Sequence, residues 1–432
     1  MESVWHSTAK KPCFESLKND IKVDVLIIGG GIMGILCAHA LGSAGVNYAL
    51  VEAGEICGGI TKNTTAKVTF QHGLIYDKLI RTFGKESALM YLEANMRALD
   101  KYRELCQDID CDFEARDSFV YSTDDMQRLE KEAETLNSLG IPAELVSKPS
   151  IPLSVVGAVK VTGQAQFHPL KFLYAIAKDL KIFENTKVLE LTADGAITNC
   201  GKIRARKIIV ATHFPFINKH GFYFVKMYQH RSYVLALENA SQPNGIYVDE
   251  AEKGLSFRNH GNLLLLGGGS HRTGKKGGGW QELEAFARLN YPKSRVIYRF
   301  ATQDCMTLDG IPYVGRYSPR TENLYVATGF NKWGMTSAMA AADILCGEII
   351  GKKSQYAEVF STSRSILRPQ LSINAVETLT NLLTPTAPRC PHLGCALKYN
   401  KQEHSWDCPC HGSRFTENGK LIDNPATDDK KM

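Results

Sequence analysis

The sequence predicts an α/β protein with three parts, and three observations lead to this prediction. A buried strand, a glycine-rich turn and a helix follow one another near the N-terminus, which is typical of a parallel sheet. A β-rich stretch from Met227 to Leu266 indicates an inserted antiparallel sheet. The segment 387–432 holds four cysteines in two short clusters, which indicates a small ligand-binding module.

The first part is defined by two apolar runs. The β-branched run Val23–Ile28 predicts a buried strand, and it leads directly into the turn Gly29–Gly34 and a helical segment. A second predicted strand, Asn47–Val51, ends at Glu52, which lies eighteen residues after the end of the turn. Strand, turn, helix and acidic strand end together form a specific pattern, whereas the glycines alone would be weak evidence.

Each glycine in this turn has a physical role. Gly29 allows the tight turn, Gly31 lets the backbone approach a pyrophosphate, and Gly34 allows the helix to pack closely on the strand. The helix N-terminus then faces phosphate, and Glu52 accepts hydrogen bonds from ribose hydroxyls. The sequence therefore predicts a Rossmann-like dinucleotide site.

Two distant segments favour FAD over NAD as the dinucleotide. Lys207–Thr212 is an apolar strand that ends in small residues, a common second contact around a flavin nucleotide. The strand Asn323–Thr328 leads into the turn Gly329–Thr336 and a helix of small residues. Free N–H groups at such a helix start point at the group before it, which for a flavin is the edge that gains charge on reduction.

The C-terminal cysteines and histidines follow a mixed spacing. Cys390 and His392 form C-x-H, fifteen residues follow, and Cys408 and His411 form C-x-x-H. This spacing resembles a Rieske-type 2Fe–2S centre, in which the two cysteines hold one iron and the two histidines the other. A zinc site is the alternative, but zinc fingers usually pair Cys with Cys and His with His.

Residues 21 to about 352 resemble the D-amino-acid oxidase superfamily of FAD flavoproteins, which includes glycine and sarcosine oxidases. The resemblance rests on the N-terminal fingerprint and on three further segments, Thr64–Lys67 with Gln71–Gly73, Ala211–Thr212, and Gly329–Thr336. The fingerprint and the resemblance together imply these FAD contacts: Gly29, Gly31, Ile32, Met33, Gly34, Glu52, Thr64, Thr65, Ala66, Lys67, Val188, Ala211, Thr212, Gly329, Asn331, Lys332, Trp333, Gly334, Met335 and Thr336.

The tail carries a further resemblance, to the Rieske proteins of respiratory complexes. In those proteins an additional pair of cysteines forms a disulfide that clamps the two cluster loops together. By this resemblance Cys395 and Cys410 are expected to form a disulfide, although a reducing cytosol disfavours one that is not buried.

The resemblance also implies domain boundaries. The FAD-dependent region is expected over 1–352, a linker with a helix over 353–386, and the Rieske-like module over 387–432. Within the first region, FAD-binding segments are expected at about 20–75, 150–215 and 300–352, and a substrate or roof domain at about 76–149 and 216–299. The linker helix is expected to begin after Pro369, with these packing residues: Leu371, Val376, Leu379, Leu382 and Leu383. So short a tail is expected to pack against the flavoprotein or another subunit.

The sequence offers fewer catalytic candidates than cofactor-binding candidates. Arg231 and Tyr233 share one face of a predicted roof strand, and an arginine facing the flavin would clamp a substrate carboxylate. Arg258 is a second arginine candidate, and Lys332 is a catalytic candidate by resemblance. The resemblance also places His72 and Gln303-Asp304 near the flavin ring. A glycine-rich basic segment, Gly267–Gly279, is read as a mobile lid, an anion site or a flexible surface turn.

Composition sets the class of protein. The chain has 432 residues, 44% of them hydrophobic, and its formal charge of +6 is too mild to indicate nucleic acid binding. No apolar stretch reaches the roughly 18–20 residues of a membrane span. The first residues lack the apolar core of a secretory signal, so a cytoplasmic location is expected.

These observations predict a flavin-dependent dehydrogenase or oxidase for an amine or amino acid. FAD takes two electrons, and the 2Fe–2S cluster passes them one at a time to an external acceptor. Two alternatives remain: an electron-transfer protein that receives electrons from a partner protein, and an oxidase that uses oxygen and has a structural cluster. A homo-oligomer is compatible with all three of these functions.

Overall fold

The computed structural model describes residues 2–218, 220–385 and 388–430. The boundary positions 386, 387, 431 and 432 of the expected linker and module lie outside these ranges. The helices are α1 Val4–Thr8, α2 Ile32–Ser43, α3 Tyr76–Leu105, α4 Met126–Ser138, α5 Pro169–Ala177, α6 Tyr223–Lys226, α7 Gly279–Asn290, α8 Gly334–Ile349 and α9 Pro369–Leu383. A 3₁₀ turn covers Ile60–Asn63, and α3 is interrupted at Gly84, where φ is +83°.

The strands belong to three sheets. In chain order they are β1 Ile21–Ile28, β2 Tyr48–Val51, β3 Lys67–Val68, β4 Glu114–Ser122, β5 Ala143–Val146, β6 Gly157–Gln166, β7 Ile182–Phe183, β8 Val188–Thr192, β9 Gly195–Thr198, β10 Gly201–Val210, β11 Met227–Glu238, β12 Ile246–Asp249, β13 Ser256–His260, β14 Leu263–Arg272, β15 Arg295–Thr307, β16 Tyr313–Arg316, β17 Leu324–Thr328, β18 Lys398–Asn400, β19 Ser405–Asp407, β20 Arg414–Thr416 and β21 Leu421–Asp423.

The first sheet is the predicted parallel sheet. Its main strand order is β16-β17-β10-β1-β2-β7, and β1 pairs in parallel with both β2 and β10. The side chains of β1 are buried on both faces towards its end, which explains its continuous apolar run. Helices α2 and α8 pack beside each other in the core that covers one face of this sheet. The prediction of a Rossmann-like α/β fold is confirmed.

Close packing explains two glycines of the first turn. A Cβ atom at Gly34 would lie 1.8 Å from the carbonyl oxygen of Gly29, so a side chain there would separate α2 from β1. Gly29 has a φ of +110°, and a Cβ atom on it would lie 2.7 Å from the carbonyl oxygen of Ala211. The turn therefore depends on glycine both for its conformation and for its contact with β10.

The second sheet is the predicted roof. Its main order is β15-β11-β14-β13-β12-β4-β6-β3, and its pairs are antiparallel except for β12 with β4. It also includes β3, β6 and most of β15, which the sequence-based boundaries assigned to FAD-binding segments. Hydrophobicity alone does not show which sheet a strand joins, because both sheets offer strands a buried face. The β-rich stretch from Met227 to Leu266 is confirmed as β11 to β14.

The glycine-rich segment Gly267–Gly279 differs from the expectation of a loop. Its first six residues, to Arg272, belong to β14, and only a short connection precedes α7. Gly274 lies against the C-terminal module, because a Cβ atom there would meet the backbone nitrogen of Pro409 at 2.7 Å. The connection is therefore anchored to the module at Gly274, whereas Lys275, Lys276 and Gly277 are exposed in the surface turn that the sequence allowed.

The third sheet, β18-β19-β20-β21, is antiparallel and belongs to the tail. It has a small core that includes Cys390, Leu397, Cys408 and Phe415. Between 352 and 389, the described residues contain α9 but no strand. The tail therefore lacks preceding strands, as the sequence indicated, and it packs against the roof of its own chain.

Helix α9 forms where it was expected, but its orientation was predicted wrongly. The packing residues named above include Val376 and Leu379, whose exposed fractions are 64% and 59%, while Asn374 and Asn381 are buried. Asn374 Oδ1 accepts a hydrogen bond from Arg272 Nη1 at 2.8 Å, and the Asn381 carbonyl accepts one from the Ala396 amide at 2.9 Å. The side chain of Asn374 is turned inward because its partner Arg272 lies there, and the Asn381 side chain bonds Glu377 of the same helix. Across the described ranges, helices long and apolar enough to cross a bilayer are not found.

Candidate flavin and iron–sulfur sites

A cavity of about 1240 Å³ lies between the carboxyl ends of the parallel strands and the inner face of the roof. Most of the predicted FAD contacts line it: Gly29, Gly31, Ile32, Met33, Glu52, Thr64, Thr65, Lys67, Val188, Ala211, Thr212, Asn331, Lys332, Trp333, Gly334 and Met335. Four others, Gly34, Ala66, Gly329 and Thr336, lie behind this surface, where they shape the backbone or pack against it. The position of the cavity is that expected for ligands of open α/β sheets.

The nucleotide end of the cavity is built around Glu52. Its carboxylate accepts hydrogen bonds from the Gly30 amide at 2.7 Å and from the Gly54 amide at 2.8 Å. These bonds hold the acidic group beside the turn before α2. At Gly31 an added Cβ atom would have Thr61 Oγ1 as its neighbour at 3.2 Å and would otherwise point into the cavity space. An open backbone next to a fixed carboxylate fits a pyrophosphate and ribose.

The opposite end is formed by the turn before α8. Asn331 and Lys332 both have positive φ values, +49° and +71°, so the turn is strained for non-glycine residues. Asn331 Oδ1 accepts a hydrogen bond from the Thr307 amide at 2.7 Å, which holds the turn against β15. The first residues of α8, Gly334 and Met335, line the cavity. Its positive dipole end therefore fits a flavin edge that becomes negative.

Three ionisable side chains meet at this end. Loss of solvent, followed by the charges of Arg258 and Lys332, lowers the pKa of Lys67 to about 7. Burial also lowers the pKa of Lys332, although Asp304 opposes this change. Burial raises the pKa of Asp304 to about 6 against the opposite effect of Lys332. The cavity thus holds both signs of charge and groups that titrate near neutral pH.

The catalytic candidates on the roof are placed differently from the expectation. Arg231 is 4% exposed and is not part of the cavity wall, because its guanidinium binds the carboxylate of Glu403 through two nitrogens. Arg258 Nη1 donates to the carbonyls of Thr65 and Ala66, both at 2.8 Å. Neither guanidinium is therefore free to clamp a substrate carboxylate. Each instead holds another segment of the chain.

Tyr233 and His72 have their own partners. Tyr233 lines the cavity, and its hydroxyl lies 3.0 Å from His271 Nε2 and donates to Glu403 Oε1 at 3.0 Å. His72 stacks on Trp333 with ring centroids 5.0 Å apart and lies 2.7 Å from the Tyr91 hydroxyl through Nδ1. His72 therefore lines the flavin end of the cavity beside Trp333.

The four predicted iron ligands converge in the tail. Cys390, Cys408 and His411 are buried, and His392 is partly buried. The two imidazole rings lie 4.9 Å apart at 87°. Burial, and for His411 also the neighbouring His392, lowers their pKa values to about 4 for His392 and about 3 for His411. Both rings are thus neutral at pH 7, as ligation to a metal requires.

The hydrogen bonds of the two imidazoles show which nitrogen atoms are available to bind a metal. Nδ1 of His392 and Nδ1 of His411 are buried, and neither has a hydrogen-bond partner among the described residues. His392 Nε2 lies 3.0 Å from Asn218 Oδ1. A buried nitrogen without a partner is costly unless a ligand occupies it, so these two Nδ1 atoms fit the histidine-bound iron.

The predicted disulfide is not supported. Cys395 and Cys410 are free, and their sulfur atoms lie with that of Cys408 in a group whose members are all within 4.8 Å of one another. Cys408 shares hydrogen bonds with both of the other thiols, so the three side chains occupy one pocket without a covalent link. This thiol-rich pocket suits a soft metal centre.

The tail is docked by residues that sequence reasoning missed. Gln229 Nε2 donates to the carbonyl of His411 at 2.8 Å, and Gln303 Nε2 donates to the carbonyl of Gly412 at 2.9 Å. Arg272 Nε donates to the carbonyl of Pro409 at 3.0 Å. These contacts hold the second cluster loop directly on β11, β14 and β15. No local motif marks them, because each joins residues far apart in sequence.

A buried ionic network reinforces this docking. Glu403 and Asp407 of the tail accept from Arg414, and Glu403 also binds Arg231 of the roof. Burial opposes ionisation of Glu403, but the two arginines outweigh burial and lower its pKa to about 2. The network is satisfied on both sides, as buried charges require.

The sequence matches two protein-family models. The model described as FAD dependent oxidoreductase (DAO) matches residues 24–347, and the model described as Rieske [2Fe-2S] domain matches residues 350–431. The second match decides against the zinc alternative. Together they explain why the fingerprint and the cysteine–histidine pattern lie at opposite ends of one chain.

Two curated relatives match most of this chain, at different levels of sequence identity. A putative Rieske 2Fe-2S iron-sulfur protein, YhfW of Bacillus subtilis, is 34% identical over 98% of this chain and 96% of its own length. The gamma-glutamylputrescine oxidoreductase of Escherichia coli is 22% identical over 81% of this chain and 89% of its own.

Solved structures show the same flavoprotein fold. The L-proline dehydrogenase of P. horikoshii has a TM-score of 0.67 at 18% identity, covering 82% of this chain and 98% of that one. The glycine oxidase of Geobacillus kaustophilus has a TM-score of 0.66 at 18% identity, covering 80% and 99%. The chain belongs to the DAO family of FAD dependent oxidoreductases, and it carries a C-terminal Rieske 2Fe–2S domain.

Proposed function

We propose that the chain oxidises a small amine or amino acid and delivers the electrons through its Rieske centre to an external acceptor. FAD supplies hydride acceptance, and the cluster supplies one-electron transfer. In this proposal residues 1–352 hold FAD and substrate, and the module that begins near 387 holds the cluster. The observation that carries it is the docking of the histidine side of the cluster site on the flavoprotein.

The histidine ligands face the flavoprotein side of the chain. The Phe224 ring lies edge-on to both imidazoles, at 6.5 Å from His392 and 6.0 Å from His411. Asn218 binds the outer nitrogen of His392. The two histidines that would hold one iron therefore contact the flavoprotein part of the chain through Phe224 and Asn218.

Strand β15 carries residues that contact both sites. In β15, Gln303 binds the cluster loop, while its neighbour Asp304 lines the cavity. Residues that are consecutive in β15 therefore contact the cluster loop and the cavity. In β11, Gln229 contacts the cluster loop and pairs with Cys305 of β15, which also lines the cavity. This proximity favours direct transfer over a purely structural cluster.

The charged groups of the cavity suit a substrate with an amino group and a carboxylate. Lys332 offers a cationic partner for a carboxylate, and Asp304 offers an anionic partner for an ammonium group. Lys67, with a pKa of about 7, donates to Ser256 Oγ at 3.2 Å and is able to take a proton from the substrate ammonium group. Hydride loss requires the neutral amine, so proton removal by Lys67 precedes it.

A variant of one iron ligand tests the electron path. In Cys390→Ser supplied with saturating FAD, anaerobic reduction of the flavin by substrate should persist, and turnover with one-electron acceptors should be lost. Cys200→Ser, which changes a half-buried thiol remote from the cluster, is the control and should retain both activities. The measurement is flavin absorbance after mixing with a panel of amines and amino acids, followed by steady-state acceptor reduction.

Two outcomes would contradict the proposal. Undiminished acceptor turnover in Cys390→Ser would remove the cluster from the electron path and favour oxygen as acceptor. If no amine or amino acid reduced the flavin, electrons would have to enter from a partner protein.

A further inference from the structure

We propose that residues 420–427 of the Rieske domain form one wall of the FAD site, so that FAD retention depends on the docked iron–sulfur module. Six residues of this segment line the same cavity as the nucleotide fingerprint: Lys420, Leu421, Ile422, Asn424, Ala426 and Thr427. The inference rests on the placement of the FAD adenosine beside Glu52, Val188 and Thr212.

Asn424 attaches this wall to the parallel sheet. Its Nδ2 donates to the carbonyl of Thr212 at 2.7 Å and to that of Phe214 at 2.8 Å, just after the end of β10. Its own carbonyl accepts from Gln229 Nε2 at 2.9 Å. Asn424 therefore ties the segment to both the FAD-binding sheet and the roof.

A second attachment lies beside the expected adenine contact. Lys187 Nζ donates to the carbonyl of Thr427 at 2.7 Å, and Lys187 and Val188 both line the cavity. The segment therefore lines the nucleotide end of the cavity next to Lys187 and Val188. The flavin end, at the turn before α8, is walled by other residues.

His213 adds an independent observation at this end. It follows Thr212, lines the cavity and has a φ of +65°. Its Nε2 is buried without a hydrogen-bond partner in the described parts of the chain. A buried nitrogen of this kind calls for a polar ligand, and the cavity next to Thr212 is where the nucleotide would supply one.

Hydrogen bonds through Ser413 connect residues 420–427 to the cluster loop. The Ala426 amide donates to Ser413 Oγ at 2.9 Å, and the Cys408 amide donates to the carbonyl of Ser413 at 2.8 Å. Ser413 lies two residues after the ligand His411. A tail that lost its metal centre would lose the order of this loop and of the wall attached to it. Binding of FAD and folding of the module are then thermodynamically linked.

The test compares two side-chain amides that each make two hydrogen bonds between tail and flavoprotein. Asn424→Ala removes the bonds at the nucleotide end. Gln402→Ala removes bonds to the Trp280 amide and the Gly278 carbonyl, on the roof side of the module. We expect Asn424→Ala to raise the FAD dissociation constant about tenfold, which corresponds to about 1.4 kcal/mol. Gln402→Ala should leave it unchanged.

The readouts are FAD content after ultrafiltration, FAD affinity by fluorescence titration, and iron and sulfide per chain. A second measurement uses the unaltered protein, in which FAD should slow amide hydrogen exchange in the peptide covering 420–428. If Asn424→Ala also lost iron, this exchange measurement would decide. Unchanged FAD affinity with intact iron, or exchange that is indifferent to FAD, would overturn the inference. Reduction of the flavin by amines at saturating FAD tests the proposed function separately.

Discussion

The parallel sheet and the Rieske module are stabilised in different ways. Strand β1 and helix α2 lie in a large apolar core, in which Ile27, Ile35 and Leu50 are fully buried. The module has only a small core, and its contacts with the roof are ionic and polar, centred on Arg231, Glu403 and Arg414. Burial of apolar side chains is non-directional, so it tolerates small changes in geometry. A buried ion pair depends on the presence of both partners. The module should therefore be far more sensitive to single substitutions at its interface.

The largest expected effect is loss of the metal centre. Cys408→Ser or His411→Ala should reduce iron and acid-labile sulfide from about two of each per chain to none, because each removes a ligand. Metal and sulfide analysis of anaerobically purified protein measures this, with Cys200→Ser as the control. Zinc without sulfide in the unaltered protein would contradict the assignment.

A substitution in the glycine turn after β1 should remove FAD as completely as the previous variants remove the metal centre. Gly31→Leu would fill the space needed by the pyrophosphate, so the protein should be purified without FAD. Gly45→Ala is the control, because no atom lies within 4 Å of its added Cβ, and it should retain FAD. Its positive φ should cost about 1–2 kcal/mol of unfolding free energy. Full FAD content in Gly31→Leu would refute the assigned pyrophosphate position.

Breaking the interface network should undock the module without unfolding the parallel sheet. Arg231→Ala leaves Glu403 buried with one arginine fewer, and we expect a loss of about 3–5 kcal/mol at the interface. Limited proteolysis should then cleave the tail first, while the flavoprotein region retains its melting temperature at saturating FAD. Arg204→Ala, at an exposed ion pair, is the control and should change neither. A tail as resistant as in the unaltered protein would disprove the role of this pair.

The same network predicts a pH dependence. The folded-state pKa of Glu403, about 2, lies below the ordinary value of 4.5, so its stabilising contribution is complete above pH 4.5. It is lost as the pH falls from 4.5 towards 2, when the unfolded state binds the proton more readily. Tail proteolysis should therefore accelerate over this range in the unaltered protein and less so in Glu403→Gln. Equal acceleration in both would exclude Glu403 as the group responsible.

The smallest expected effects concern helix α9, whose apolar side chains face outward. Leu379→Ser changes a side chain that is 59% exposed, so the free energy of unfolding should change by less than about 0.5 kcal/mol. Asn374→Leu removes the acceptor of Arg272 and should cost about 1–3 kcal/mol. Chemical denaturation measures both values. A larger loss for Leu379→Ser would mean that the apolar face is covered in solution.

The sequence by itself determined the elements whose physics is local. The turn from Gly29 to Gly34 was predictable because conformation and close packing restrict those positions to glycine, and Glu52 follows at a fixed distance. The proposed iron ligands Cys390, His392, Cys408 and His411 could be named from the sequence because metal coordination imposes a spacing on its ligands. The α/β class followed from the apolar runs.

Only the tertiary structure decided the roles of the long-range polar groups. Arg231 and Tyr233 share a strand face as expected, but their partner Glu403 lies about 170 positions later in the chain, which no periodicity can reveal. The inward position of Asn374 in α9 follows from Arg272, and the wall beside Thr212 follows from Asn424. A buried polar side chain goes where its partner lies, and partners distant in sequence are brought together only by the fold.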